Sequence, residues 1–335
     1  MTRKRLLLIF TGLFILISFP VGILISKTMD GKTSDDPKYG NEMQTNYRIY
    51  SPVIPENLSF AGETVPIDVY YVYEAIDREL LVNTYWQSNL ILMIKRAYRF
   101  FPIIEPILAR EKVPDDFKYL ALIESSFMNV SSPAGAAGFW QFLKATGERF
   151  GLEINAEVDE RYDLEKSTVA ACKYLKIMQK QFNSWTCAAA AYNMGETGLK
   201  KQMDAQKQNS YWDLYLNTET SRYVSRILSL KIIMEAPTKY GLYLRYSDLY
   251  QPVQMRKIEV DTAIASLIDF SIAQKSNYRI LKEHNAWLRS TSLTNKSKKK
   301  YIIQLPENGF SSRSRQLSGL SSKFAIYKAD SINPK

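Results

Sequence analysis

Histidine is almost absent from this chain of 335 residues, which contains His284 and no other. A catalytic zinc site normally draws several ligands from histidine, cysteine and carboxylate side chains. A Ser-His-Asp or Cys-His site needs a histidine as its base. Because His284 lies far along the chain, in a segment that reads as an accessory domain, the sequence argues against zinc amidases and Cys/His peptidases.

Cysteine is nearly as scarce, with Cys172 and Cys187 as the two representatives. The sequence predicts that they lie on consecutive helices that meet near Asn183 and Ser184. At ~1.5 Å per residue the two positions are offset by about 12 Å along an antiparallel pair. A disulfide needs Cα atoms within about 7 Å of each other. We therefore predict two free, buried thiols.

Acidic residues are fewer than basic ones, and the formal net charge is +10. A basic protein is attracted to polyanions such as nucleic acid, anionic lipid or cell-wall polymers.

The start of the chain helps to choose among these polyanions. A basic segment, MTRKR, precedes an uncharged apolar run from Leu6 to Ile25. Such a run of about twenty residues matches the ~30 Å hydrocarbon core of a bilayer.

The apolar run predicts export. A signal-peptide core is usually shorter and ends at a small-residue cleavage site, and no clear site follows Ile25. Residues 1–27 are thus read as a signal anchor in preference to a cleaved signal peptide. Everything after Lys27 is expected on the periplasmic face of the cell envelope, which disfavours a nucleic-acid binder. Residues 28–66 are polar and rich in Gly, Asp, Asn and Pro, and they are interpreted as a linker.

A helical body is predicted for residues 67–245. Pro114 and the acidic residues after it indicate a helix start. On the helix that follows, Glu124 is the central residue of an apolar face. The apolar neighbours in the helical repeat are Phe117, Leu120, Ala121, Phe127 and Met128. Burial raises the pKa of a carboxyl group, which suits a general acid near neutral pH. A structural carboxylate paired with a buried Lys or Arg is the alternative.

The segment after Glu124 reads SSPAGAAGFWQF, from Ser131 to Phe142. Its small residues allow close backbone approach, and a tight turn would bring Gln141 back beside Glu124. A glycine-rich corner between helices is the plainer interpretation. Further predicted helices are Ser167 to Phe182, Trp185 to Asn193 ended by Gly195 and Gly198, and a long one from Glu219 with Thr218 or Thr220 as cap.

Four motifs in order resemble the catalytic domain of family 1 lytic transglycosylases, from about Ile67 to Ala236. They are Glu124-Ser125 (E-S), Gly138 to Gln141 (G-L-M/W-Q), Ala191-Tyr192-Asn193 (A-Y-N) and Tyr223 within E-T-x-x-Y-V. The segment Asp159 to Asp163 resembles the membrane-bound murein transglycosylase D branch. Phe139 replaces the usual Leu, and Met128-Asn129 replaces Asn-Pro; neither change removes a functional group.

The resemblance implies a mainly α, goose-type-lysozyme fold and non-hydrolytic cleavage of peptidoglycan between N-acetylmuramic acid and N-acetylglucosamine. Glu124 would be the catalytic acid and then the base, leaving a 1,6-anhydro ring, with no metal or cofactor. The residues implied to support it are Ser125, Ser132, Gln141, Tyr192, Asn193 and Tyr223. Goose-type lysozyme hydrolysis and a non-catalytic peptidoglycan-binding protein are the alternatives.

Residues 255–307 read as strand, helix, helix and strand, and this βααβ order resembles a divergent LysM module, a peptidoglycan binder. The predicted strands include Ile258 to Val260 and Tyr301 to Pro306. The first helix is expected to be capped by Asp261 and to contain Ile264, Leu267 and Ile268, and the second to contain Tyr278, Leu281, Asn285 and Leu288. A packing appendage without sugar binding is the alternative, and residues 308–335 are expected to be a flexible tail.

Overall fold

The computed structural model describes residues 49–307. The apolar run from Leu6 to Ile25, most of the linker and the tail after residue 307 therefore lie outside the described residues. Within 49–307 no helix is both long enough and apolar enough to cross a membrane. The part of this region from Pro52 onward forms a single unit.

A helical body occupies residues 52–250 and is mainly α, as predicted. Its elements are β1 (Ser59–Phe60), β2 (Glu63–Thr64), α1 (Tyr70–Tyr85), α2 (Gln87–Arg110), α3 (Phe117–Ser125), α4 (Lys144–Arg149), α5 (Leu164–Phe182), α6 (Trp185–Met194), α7 (Glu196–Gln206) and α8 (Thr218–Glu235). Helix α6 contains four consecutive alanines, Ala188 to Ala191, that are completely buried. Because these side chains are small, α5 and α8 both pack closely against α6.

The two cysteines lie in this core and are free and buried, as predicted. Burial raises the pKa of the Cys172 thiol to about 12. Burial also raises the pKa of Cys187. Both thiols therefore stay protonated and behave as small apolar side chains.

The linker prediction is wrong over its last part, because the body begins before residue 66. Ile54, Leu58, Phe60 and Val65 are buried in the main core. The β1–β2 hairpin also places Glu63 against the start of α6. Its carboxylate accepts hydrogen bonds from the Ser184 hydroxyl, the Trp185 and Thr186 amides and the Thr186 hydroxyl. The polar, proline-containing sequence gave no sign of these tertiary contacts.

Several helix ends differ from the sequence prediction. Helix α3 ends at Ser125, and Ser126 and Phe127 adopt left-handed backbone conformations with φ of 50° and 53°. Phe127 and Met128 therefore lie outside the helix predicted to contain them, and Met128 is exposed. Gly195 follows the last residue of α6 as expected, but Gly198 lies inside α7.

The cap of α8 is also corrected. Asn217 is the residue that caps it, because its side-chain oxygen accepts a hydrogen bond from the Thr220 amide at 3.0 Å. Thr218 is the first helical residue and Thr220 is the donor, so neither is the predicted cap.

A C-terminal module occupies residues 255–307 and has the predicted βααβ order. Its elements are β3 (Met255–Val260), α9 (Leu267–Ala273), α10 (Tyr278–His284) and β4 (Tyr301–Pro306). Strands β3 and β4 pair antiparallel, with Met255 opposite Pro306 and Val260 opposite Tyr301.

Both helices of the module are shorter than predicted. Helix α9 is capped by Ser266, whose hydroxyl accepts from the Asp269 amide, so Asp261 is not its cap and Ile264 precedes the helix. Asn285 and Leu288 lie past the end of α10. Asn285 is fully buried, and its amide group bonds the backbone of α10 and β4. Hydrogen bonds of the Asn285 side chain thus take the place of the last helical turn that was predicted.

The module is packed against the body along residues 153–165. Val158 is 1% exposed and lies in the apolar core of the module. On either side of it, the Asp159 amide donates to the Trp287 carbonyl at 2.8 Å and the Arg289 amide donates to the Glu157 carbonyl at 2.7 Å. This segment of the body therefore completes the module.

Candidate active site

Glu124 lies in the last turn of α3 and meets Tyr223, which lies in the second turn of α8. The Tyr223 hydroxyl donates a hydrogen bond to Oε1 of Glu124. Tyr223 is almost fully buried, so this hydroxyl has a fixed direction. The predicted proximity of Glu124 and Tyr223 is therefore present in the structure.

Helix α8 is fixed by contacts with α1 on its other side. Glu79 is buried and forms an ion pair with Arg222 at 2.6 Å. One helical turn further, the Asn83 amide donates to the Ser229 hydroxyl at 2.7 Å. Because Arg222 precedes Tyr223 directly, this ion pair holds the part of α8 that presents the tyrosine to Glu124.

The pKa of Glu124 is raised to about 7, mainly by burial of its carboxyl group. The Tyr223 hydrogen bond and the positive charge of Arg226 lower this pKa, and the negative charge of Glu219 raises it. The raised pKa predicted from the apolar face of α3 is thus confirmed. Arg226 acts on Glu124 as a nearby charge, and no ion pair joins them within the described chain. A carboxyl with this pKa can hold a proton near neutral pH and also release it.

Ser125 is buried beside Glu124, but its hydroxyl bonds the backbone. It donates to the Phe139 carbonyl at 2.9 Å and accepts from the Phe127 amide at 3.2 Å. Ser125 therefore ties the end of α3 to the segment that carries the G-F-W-Q motif.

The segment of residues 126–142, named the site loop here, folds on itself. Gln141 has a positive φ of 48°, and its side-chain amide donates to the carbonyls of Val130 and Gly138 at 3.1 and 2.8 Å. The Ser132 hydroxyl accepts from the Ala136 amide at 3.1 Å. The side chains of Gln141 and Ser132 thus shape the loop, and the hydrogen bonds of the Gln141 side chain go to the loop backbone.

Tyr192 and Asn193 lie at the end of α6 and have different partners. The Tyr192 hydroxyl donates to the Trp140 carbonyl at 2.6 Å. Burial, together with the charge of Glu124, raises the pKa of Tyr192 well above its ordinary value. Tyr192 therefore joins α6 to the site loop and remains a neutral hydrogen-bond donor.

Asn193 is oriented by the start of α8. Its amide nitrogen donates to Glu219 Oε1 at 3.0 Å, and its amide oxygen accepts from the Thr220 hydroxyl at 2.8 Å. With both ends of the amide bonded, the side chain has one orientation. The second carboxylate near Glu124, that of Glu219, is exposed and acts as an acceptor for Asn193.

Three charged residues were missed as site residues by the sequence interpretation. Glu219 and Arg226 flank Tyr223 at distances of four and three residues, so helical periodicity could have placed them on its face. Arg161 lies in the segment that resembles the transglycosylase D branch, but its two partners in the site loop are 26 and 19 residues away in sequence. Its guanidinium donates to the Gly135 and Phe142 carbonyls at 2.8 and 3.1 Å. No local pattern indicates such contacts.

A metal centre has no candidate ligand group in the described part of the chain, since residues 49–307 contain no cluster of three or more His, Cys, Asp or Glu side chains that could hold an ion. The chemistry that this site offers is proton transfer by one partly desolvated carboxyl group, which neutral donors and oriented amides surround.

Comparisons with known proteins find matches to the part of the chain that contains this site. Residues 101–215 match the transglycosylase SLT domain, and residues 256–309 match the soluble lytic transglycosylase C-terminal LysM-like domain. Membrane-bound lytic murein transglycosylase D from Escherichia coli K12 and from E. coli O6:H1 are each 30% identical over 213 residues. Each match covers 59% of this chain and 44% of the relative, so the chain spans less than half of those relatives. The chain thus matches an SLT transglycosylase domain over residues 101–215 and, after it, a LysM-like domain over residues 256–309.

Proposed function

We propose that this protein is a peptidoglycan lytic transglycosylase, which cleaves the β-1,4 bond between N-acetylmuramic acid and N-acetylglucosamine and leaves a 1,6-anhydro end. The observation that carries the proposal is Glu124, a carboxyl with a pKa of about 7 that accepts a hydrogen bond from Tyr223. The SLT match over residues 101–215 supports the substrate class.

In the first step, protonated Glu124 gives its proton to the glycosidic oxygen as the bond from C1 of the muramic residue breaks. In the second step, the Glu124 carboxylate takes the proton of the C6 hydroxyl, whose oxygen bonds to C1 and closes the anhydro ring. One carboxyl serves as acid and then as base, whereas most glycosidases use two carboxylates. Tyr223 stabilises the carboxylate between the two steps, because its hydroxyl donates to Glu124.

The supporting residues act through the positions already described. Asn193 has an orientation fixed by Glu219 and Thr220 and would present its amide to the substrate's N-acetyl group. Tyr192, Ser125, Gln141 and Ser132 hold the site loop by hydrogen bonds to its backbone. These four residues would then act on the substrate through the shape of the loop.

The partners in this proposal are peptidoglycan strands and a membrane. The LysM-like module would bind the glycan, as its family match suggests. The apolar run from Leu6 to Ile25 would anchor the protein, and the SLT domain would then lie in the periplasm. The name of the two relatives, membrane-bound lytic murein transglycosylase D, agrees with this location.

Mass spectrometry of purified peptidoglycan treated with the protein tests the proposal, with Glu124→Gln as the inactive control. Anhydro-muropeptides from the wild type alone would support the reaction and the role of Glu124. Products with reducing ends would make the protein a goose-type lysozyme. Absence of products from membrane-inserted full-length protein would favour a non-catalytic peptidoglycan-binding protein.

A further inference from the structure

We propose that Arg161 is a positioning residue that couples the docked LysM-like module to the site loop, so that module docking holds the loop in its catalytic shape. The contacts of Arg161 reach both the site loop and the segment that the module binds.

The guanidinium of Arg161 holds the site loop by hydrogen bonds to its backbone. One nitrogen, Nη1, donates to the carbonyls of Gly135 and Phe142, which lie seven residues apart in the loop. The backbone of Arg161 also fits tightly under the loop, since a Cβ atom built on Gly138 would lie 1.8 Å from the Arg161 carbonyl oxygen. Gly138 has a positive φ of 77° as well, so this approach requires glycine.

Asp159 holds the other side of the guanidinium. Its two carboxylate oxygens accept from Nε and Nη2 of Arg161 at 2.9 and 2.7 Å. Both side chains are nearly buried, at 11% and 9% exposed. A planar guanidinium can bond a carboxylate bidentately and still direct a further nitrogen elsewhere, which a lysine ammonium cannot do with the same geometry.

The module binds the backbone of this same segment. The Asp159 amide donates to the Trp287 carbonyl, and Val158 fills the core of the module. Glu157 accepts from the amide and hydroxyl of Thr294 at 3.0 and 2.9 Å. The position of Asp159, and through it of Arg161, therefore depends on the docked module.

The loop transmits this position to Glu124. The Phe139 carbonyl is bonded to Ser125, which adjoins Glu124, and the Trp140 carbonyl is bonded to Tyr192. A loop that loses its contacts with Arg161 would loosen both bonds and admit water beside the carboxyl. This effect on catalysis rests on the proposed function, whereas the effect on the loop does not.

Hydrogen exchange of the full-length protein tests the link directly. In Arg161→Gln we expect amide exchange in the site loop to rise by about 10-fold or more, because the loop opens more often. Arg149→Gln is the matched control, since Arg149 forms an exposed ion pair with Glu196 on a nearby helix. Arg161→Lys keeps the positive charge but lacks the planar guanidinium that bonds Asp159 bidentately. We expect an intermediate rate of amide exchange from this variant.

A second variant tests the contribution of the module. Val158→Ala shortens a side chain in the module core and leaves Arg161 unchanged, and it should also speed exchange in the site loop. If Val158→Ala speeds exchange only within residues 255–307, or Arg161→Lys protects the loop as well as the wild type does, the proposal is overturned. Loop exchange that responds as expected in a protein without activity would contradict the proposed function and leave the coupling intact.

Kinetics on purified peptidoglycan provide the catalytic test. For Arg161→Lys we expect kcat to fall about 10-fold with KM changed less than about twofold, because the bound geometry is disturbed more than binding itself. The alkaline limb of its pH profile should move to lower pH, because water beside Glu124 lowers its pKa. A change in KM alone, with the profile unmoved, would contradict a positioning role.

Discussion

The helical body and the LysM-like module differ in how each obtains its core. The body surrounds α6 with helices of up to 24 residues and buries its own apolar faces. The module has two helices of seven residues each and a two-stranded sheet. A unit this small buries little apolar surface by itself. It takes Val158 from the body as part of its core, so the two parts are one folded structure.

Ion pairing also differs between the interface of the module with the body and the proposed active site. The surface where the module meets the body contains Glu153, which accepts from Lys299 and Tyr301, and Glu165, which accepts from Lys257 and Gln304. The proposed chemistry instead depends on a carboxyl without an ion pair. In the proposed mechanism the module would hold the site loop in position, and the body would supply the reactive carboxyl.

The largest expected effect comes from a substitution that removes the reactive carboxyl and leaves the LysM-like module unchanged. Glu124→Gln should lower the rate of anhydro-product formation by a factor on the order of 10³, the usual range for loss of an acid–base group. Its thermal unfolding at about pH 4, below the ordinary pKa of a glutamate side chain, should match the wild type, since no packing changes. Product release from peptidoglycan measures the rate, and a residual rate near that of the wild type would remove Glu124 from the mechanism.

The second effect comes from a charge placed in the apolar core of the module, to which the body contributes Val158. Val158→Asp places a charge at a position that is 1% exposed and should cost about 3 kcal/mol in free energy of unfolding. Val53→Asp is the matched control, because Val53 is 77% exposed and the same charge should there cost about 0.5 kcal/mol or less. Denaturant unfolding measures both. Equal, small effects would show that the module core does not need Val158.

The third effect concerns Glu124 and stability. Its pKa is about 7 in the folded protein and about 4.5 ordinarily, so the folded state binds a proton that the unfolded state has lost between these values. The contribution of Glu124 to stability therefore falls as pH rises through this window. Glu124→Gln removes that loss and should be about 2 kcal/mol more stable than the wild type at pH ~8, with no gain at pH ~4. Equal stabilities at both pH values would contradict the raised pKa.

The smallest effects sharpen the electrostatic account. The Tyr223 hydrogen bond and the Arg226 charge lower the pKa of Glu124, and the Glu219 charge raises it. Tyr223→Phe and Arg226→Gln should therefore move the alkaline limb of the pH–rate profile to higher pH, and Glu219→Gln should move it lower. The pH–rate profiles of the three variants measure these shifts, and movement of all three in one direction would refute this assignment of causes.

Local sequence patterns predicted much of the fold. Pro114 and its acidic neighbours marked the start of α3, the apolar repeat placed Glu124 on an inward face, and alternating element types gave the βααβ module. The end of α3 was mispredicted because periodicity does not reveal that Ser126 and Phe127 turn left-handed. The Phe127 amide donates to the Ser125 hydroxyl, and that hydroxyl is held by the Phe139 carbonyl, a tertiary contact 14 residues away.

The site was predictable where motif residues meet directly, as Tyr223 and Glu124 do. It was not predictable where a side chain acts through backbone atoms. Gln141 and Ser125 bond carbonyl groups that any sequence would supply, so nothing in the neighbouring residues indicates those partners. Arg161 was missed for the same reason, because its partners in the site loop are backbone carbonyls distant in sequence.

The measurement that tests the central claim most directly is digestion of purified peptidoglycan in water enriched with heavy oxygen. If the C6 hydroxyl attacks C1 while Glu124 acts as base, the new ends are anhydro rings and carry no heavy oxygen. If water is the nucleophile, each new reducing end carries one heavy oxygen atom. Unlabelled anhydro ends from the wild type are the predicted result, and labelled reducing ends would contradict it.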